Sequence, residues 1–137
     1  MIPGRVLLGL DVRDLDQAKI DALFSKMRDE AEQIGQASGT KFSFRQVVAD
    51  KPALTDPRLR QIIGDGAKQL NLSTKLLPSG ATHDAQSMSR LAPAGMIFVP
   101  SIGGISHAPE EFSRPQDIVN GTNVLLGAVQ RLDAQNW

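Results

Sequence analysis

Cysteine and tyrosine are absent from the 137 residues, and aromatic side chains make up only 4% of them. Without cysteine there is no disulfide framework, no thiol nucleophile and no thiolate metal site. Neither sign of charge predominates. Fifteen basic and fifteen acidic side chains cancel, leaving no net field to hold a phosphate backbone, so general nucleic-acid binding is disfavoured. Long apolar runs are missing as well, and the longest fall far short of a bilayer span, which argues against a membrane protein. The start, Met1-Ile2-Pro3-Gly4-Arg5, carries no apolar signal stretch, so the expected compartment is the cytoplasm. What is present is a hydrophobic fraction of 41%, too high for a disordered chain. A chain of this length can bury roughly two thirds of its unfolded surface in one compact domain.

The pattern reads as α/β. Residues 5–12 form a short apolar run bounded by Pro3-Gly4 and by Arg13-Asp14, as a strand would be. Asp14 is placed to cap a helix, with Gln17 in capping-box position. Ile20, Leu23, Phe24, Met27, Ala31 and Ile34 then recur at spacings of three and four, which predicts an amphipathic helix over 15–35. A second strand is expected over 42–48, ended by Lys51-Pro52, so the first fifty residues read as one β-α-β unit.

Thr55-Asp56-Pro57 opens another helix, a cap candidate followed by proline in the first turn. Leu59, Ile62, Ile63, Ala67 and Leu70 are its stripe, weakened by Gly64 and Gly66 at about 1 kcal/mol each. Short strands are expected over 73–77 and 96–99, two helical turns over 84–91, and a last helix beginning at Ser113 to Pro115. On that helix Ile118, Thr122, Leu125, Val129 and Leu132 share a face. The expected break falls where Asp50-Lys51-Pro52 interrupts the pattern, and both halves are small for independent domains.

The two histidines both follow predicted strands. His83 lies in Ser79-Gly80-Ala81-Thr82-His83-Asp84-Ala85-Gln86, and His107 in Gly103-Gly104-Ile105-Ser106-His107-Ala108-Pro109-Glu110-Glu111. Ligands of open α/β sheets bind in the loops past the carboxyl ends of strands, and imidazole serves there as metal ligand, proton carrier or hydrogen-bond donor. A surface loop histidine is the plainer alternative for each. Ser79 lacks the frame of a nucleophile elbow, and Gly103-Gly104 has no phosphate-loop lysine. Arg13, between Asp11 and Asp14, reads most simply as a solvated ion pair.

Three ordered stretches carry a resemblance: Leu77 to Gln86, Gly95 to Ser101, and Gly104-Ile105-Ser106-His107. Together they resemble the C-terminal part of the metal-dependent amidohydrolases related to the M20 peptidases. The hydantoinase/carbamoylase type is nearest, with N-carbamoyl-L-amino acid hydrolases, allantoate amidohydrolases and β-ureidopropionases. The start, Ile2 through Arg13, is similar to the same family. The resemblance implies a zinc- or manganese-binding α/β catalytic domain interrupted by a ferredoxin-like lid, through which such enzymes form homodimers. Residues 1–50 would be the C-terminal half of that lid or dimerisation domain, and residues 51–137 the C-terminal part of the catalytic domain. It further implies His107 as a metal ligand, His83 as the catalytic histidine that contacts substrate, and Arg13 as the clamp on a substrate carboxylate. Gln86 would assist in substrate binding and Glu111 would stand behind the ligands.

The family's other metal ligands and its catalytic glutamate have no counterpart in these residues, and Thr82 stands where glycine is usual. One histidine cannot hold a dinuclear centre. The expectation is therefore the C-terminal portion of an amidohydrolase that cleaves C–N bonds of N-carbamoyl amino acids or allantoate-like ureido compounds, inactive by itself. The alternative is a non-catalytic dimerisation or binding module derived from that family.

Overall fold

The computed structural model describes residues 3–134. The chain divides into two compact units, Met1–Pro52 and Ala53–Trp137. Four α-helices organise the described residues: α1 (Gln17–Ser38), α2 (Pro57–Gln69), α3 (Asp84–Met88) and α4 (Pro115–Asp133).

In the first unit, α1 begins two residues later than the sequence suggests. Its cap is Asp16, which accepts from the Ala18 N–H at 2.9 Å, whereas Asp14 accepts from the Asp16 N–H in a turn ahead of the helix. Gly39 ends α1 at φ 73°, a left-handed conformation that glycine adopts without strain. The chain then doubles back, and Phe42 and Phe44 face α1 across a groove of about 390 Å³ that Ala31 and Gly35 also line. Ala31 is the buried side chain of this unit; Leu23 and Ile34, assigned to the same stripe, are exposed.

In the second unit α2 packs on α4. Asp56 caps α2 through the Arg58 and Leu59 N–H groups, and Pro57 follows where its missing N–H costs nothing. At the other end Asn71 takes φ 56°, with Asn71 N–H donating to the Lys68 carbonyl and Leu72 N–H to that of Ala67, which closes a Schellman motif. The contact between the helices buries Ala67, Val124 and Ala128, and Arg131 reaches across to the Ile62 carbonyl and the Gln69 side chain. The stripe expected on α4 keeps to one face, which is not the buried one. Ile118, Thr122, Leu125, Val129 and Leu132 line an apolar groove of about 370 Å³ shared with α2 and residues 95–99. Residues 95–99 come close to both helices because glycine stands at two contacts. A Cβ at Gly95 would lie 3.2 Å from Leu59 Cβ, and one at Gly121 only 2.5 Å from Val99 Cγ1.

The four predicted strands, 5–12, 42–48, 73–77 and 96–99, form no β-ladder among the described residues, so the ferredoxin-like β-α-β arrangement expected for residues 1–50 is not present there. The apolar runs reported a need for burial, but a ladder also requires a neighbouring strand to take its N–H and C=O groups. Leu7 and Leu8 are 87% and 82% exposed, and Leu76 is 79% exposed. The chain exposes 11595 Å². Two separate folded domains of these lengths would together expose roughly 8,400 Å² by surface-to-mass scaling. Exposed large apolar side chains such as Leu7, Leu8 and Leu76 contribute to the surplus.

Candidate functional site

His83 stands immediately before α3 with extended backbone, φ −130° and ψ 151°, as its N-cap residue. Its carbonyl accepts the Gln86 N–H at 2.9 Å, which starts the helix and sets Gln86 one turn from the ring. The imidazole is half-buried and held on two sides. Ser79 Oγ lies 2.6 Å from Nε2, and the ring of Phe98 packs edge-on with centroids 5.5 Å apart at 66°. Ser79 is in turn fixed by the Ala81 N–H, 3.2 Å from the hydroxyl oxygen. Thr82 is not among the described non-glycine residues with positive φ, so this turn does not require glycine there.

His107 sits in a loop that leaves residue 101 and returns at 112, closed by the Ile102 N–H donating to the Phe112 carbonyl at 2.8 Å. A short 3-10 turn, Ile102–Gly104, opens it, with Gly103 and Gly104 both at positive φ. His107 itself has φ 56°, a conformation that is costly for a residue with a Cβ. Glu111 supports it: its carboxylate accepts the His107 N–H at 2.8 Å, and its own N–H donates to the Ala108 carbonyl at 3.0 Å. The His107 side chain is exposed.

Arg13 belongs to the first unit and is exposed. Its guanidinium forks onto Asp11, Nε to Oδ1 at 3.0 Å and Nη2 to Oδ2 at 2.7 Å. Those hydrogen bonds hold the Asp11 carboxyl below its ordinary range and raise Arg13 above its own. A carboxylate ligand of Arg13 therefore has to displace one already there.

The structure thus joins His83 with Gln86, Ser79 and Phe98, and His107 with Glu111. Among the described residues no three His, Asp or Glu side chains converge as a metal would require. A zinc ion normally takes three or four protein ligands, so the described residues do not by themselves fit a zinc or manganese ion. Sequence reasoning passed over Ser79 as a partner because it weighed that serine only as a nucleophile. The available signal was its position four residues before His83 across a Gly-containing turn. No helix of the described residues is long and apolar enough to cross a membrane.

Residues 5–131 match the family model described as peptidase family M20/M25/M40. The ureidoglycolate hydrolase of Oryza sativa subsp. japonica is 40% identical over 135 residues, covering 98% of this chain and 28% of that protein. The N-carbamoyl-L-amino-acid amidohydrolase of Rhizobium meliloti is 35% identical over 129 residues, covering 94% of this chain and 31% of its own length. Among solved structures, that of AtUAH in complex with glyoxylate superposes with a TM-score of 0.75 at 36% identity, covering 89% of this chain and 29% of the other. The chain spans less than a third of the relatives it matches.

Proposed function

Because the chain belongs to peptidase family M20/M25/M40, we propose that it is the C-terminal portion of a hydrolase cleaving a C–N bond of a small ureido or N-carbamoyl compound that carries a carboxylate. One observation carries the reading. Nearly the whole chain aligns with two proteins whose names specify closely related substrates, ureidoglycolate and N-carbamoyl-L-amino acids. Both place a urea-type group on the carbon that bears a carboxylate.

Each end has a candidate group within one of the two units. The half-buried His83 ring is oriented on two sides, which suits a donor aimed at a carbonyl oxygen that gains negative charge during hydrolysis. Gln86, one turn away, contacts the polar urea end. Arg13 offers a planar fork that matches a carboxylate, in exchange for Asp11. His107 contributes one imidazole to a divalent ion whose remaining ligands lie outside this chain, and such an ion supplies Lewis acidity and an activated water. Residues 1–50 carry the pairing surface of a homodimer.

A graft tests the proposal. The 137 residues replace the matching stretch of the rice ureidoglycolate hydrolase, and ureidoglycolate, allantoate and N-carbamoyl amino acids are supplied. Hydrolysis of at least one is expected. His107→Ala should lose metal and turnover together, and His83→Ala should lower kcat with metal retained. Arg13→Ala should raise KM for substrates bearing a carboxylate. A folded, metal-loaded graft that releases no product would overturn the proposal, as would normal turnover and metal content after His107→Ala.

A further inference from the structure

We infer that Ser79 fixes His83 in the tautomer protonated at Nδ1, making Ser79 a positioning residue and Nδ1–H the donor edge of the ring. Two observations converge. The first is the separation. At 2.6 Å, Ser79 Oγ lies closer to His83 Nε2 than the roughly 2.7–3.2 Å usual for an N–H donor to oxygen. The second is the accounting of protons. Ser79 Oγ already accepts the Ala81 N–H, and among the described residues its other hydrogen-bond partner is His83 Nε2. If Nε2 carried the proton, the half-buried hydroxyl would accept twice and leave its own hydrogen without a partner there. With the proton on Nδ1, the hydroxyl accepts from Ala81 and donates to the Nε2 lone pair, and Nδ1–H is left as the open donor of the ring. Phe98 makes a second contact with the ring, at centroids 5.5 Å apart.

The tautomer stands on local geometry. Its consequence for catalysis rests on the proposed function: the hydrogen bond offered to a substrate carbonyl comes from Nδ1, and Nε2 is reserved for the protein. Ser79 then acts through His83 and touches no reacting atom.

Imidazole nitrogens report their protonation directly in ¹⁵N resonance. The chain labelled at histidine, with His107→Gln so that His83 is the sole imidazole, is sedimented and read by magic-angle spinning, which self-association does not obscure. The measurement is made about two pH units above the usual imidazole pKa near 6.5. A protonated Nδ1 and a pyridine-type Nε2 are expected. Ser79→Ala should shift the balance toward protonated Nε2, and Ser79→Thr should restore it. A dominant Nε2–H form in the parent protein overturns the inference, as does a tautomer balance that Ser79→Ala leaves unmoved. Because no turnover is measured, this result stands or falls apart from the graft.

Discussion

The Glu111 carboxylate accepts the backbone N–H of His107 at 2.8 Å, in the same loop where His107 adopts φ 56°. A residue with a Cβ pays roughly 1–2 kcal/mol for that conformation, so an outside hydrogen bond is what holds it. Placement of the imidazole thus depends on a side chain four residues further on, through the backbone rather than through the ring.

Removing that acceptor should loosen the loop. Glu111→Ala is expected to raise the hydrogen-exchange rate of the His107 amide by about fivefold, the equivalent of roughly 1 kcal/mol for one such bond. Glu111→Gln retains a carbonyl oxygen and should stay near the parent rate. Equal exchange in all three proteins would mean that Glu111 does not support His107.

Close approach of residues 95–99 to α4 makes position 121 intolerant of a side chain. Gly121→Val, driven against Val99, is expected to destabilise the second unit by about 1–3 kcal/mol in urea unfolding followed by helical circular dichroism. Gly64→Ala is the contrasting case, because a Cβ there meets nothing within 4 Å. It should stabilise by up to about 1 kcal/mol through helix propensity alone. A neutral Gly121→Val would show that Val99 moves aside freely.

Asp56 gives the start of α2 a pH dependence. Hydrogen bonds from the Arg58 side chain, and then those from the Arg58 and Leu59 N–H groups, hold its carboxyl below the usual value of 3.8. A carboxylate with a depressed folded pKa contributes stability above its unfolded pKa and loses it as pH falls through the folded one. The stability gap between the parent protein and Asp56→Ala should therefore be full at neutral pH. It should shrink on acidification below about pH 4, the ordinary carboxylate range. A gap that stays constant from neutral to strongly acidic pH would exclude this linkage.

Apolar surface on the scale of Leu7, Leu8 and Leu76 predicts how the 137 residues behave when expressed by themselves. Self-association is expected in light scattering, since exposed apolar patches and strand-like segments without neighbours associate. No stoichiometric zinc or manganese should bind at micromolar concentration, and no N-carbamoyl amino acid or allantoate should be hydrolysed, because no three ligating side chains converge among the described residues. A sharply monomeric, metal-loaded or active preparation would contradict the proposed dependence on further ligands.

The helices were legible in the sequence because their hydrogen bonds close within the segment that forms them. Asp56-Pro57 marked the start of α2, and the three-and-four spacing from Ile20 to Ile34 located α1, with the cap misplaced from Asp16 to Asp14. The motif around His83 and His107 was legible too, since family resemblance lies in local runs of residues. Strands were not, because apolar alternation states that a segment needs cover, whereas a ladder needs hydrogen-bonding groups from elsewhere in a fold. Which side chains of α4 are buried was likewise decided only in three dimensions. The sequence placed Ile118, Leu125 and Val129 on one face, and packing instead buried Val124 and Ala128, small enough for the helices to close. The pairing of Ser79 with His83 depended on the turn between them, which brings a hydroxyl four residues away within 2.6 Å of a ring nitrogen. Composition and spacing determined which chemical groups this protein carries; tertiary structure decided which of them meet, because contact energies fall off within a few ångströms.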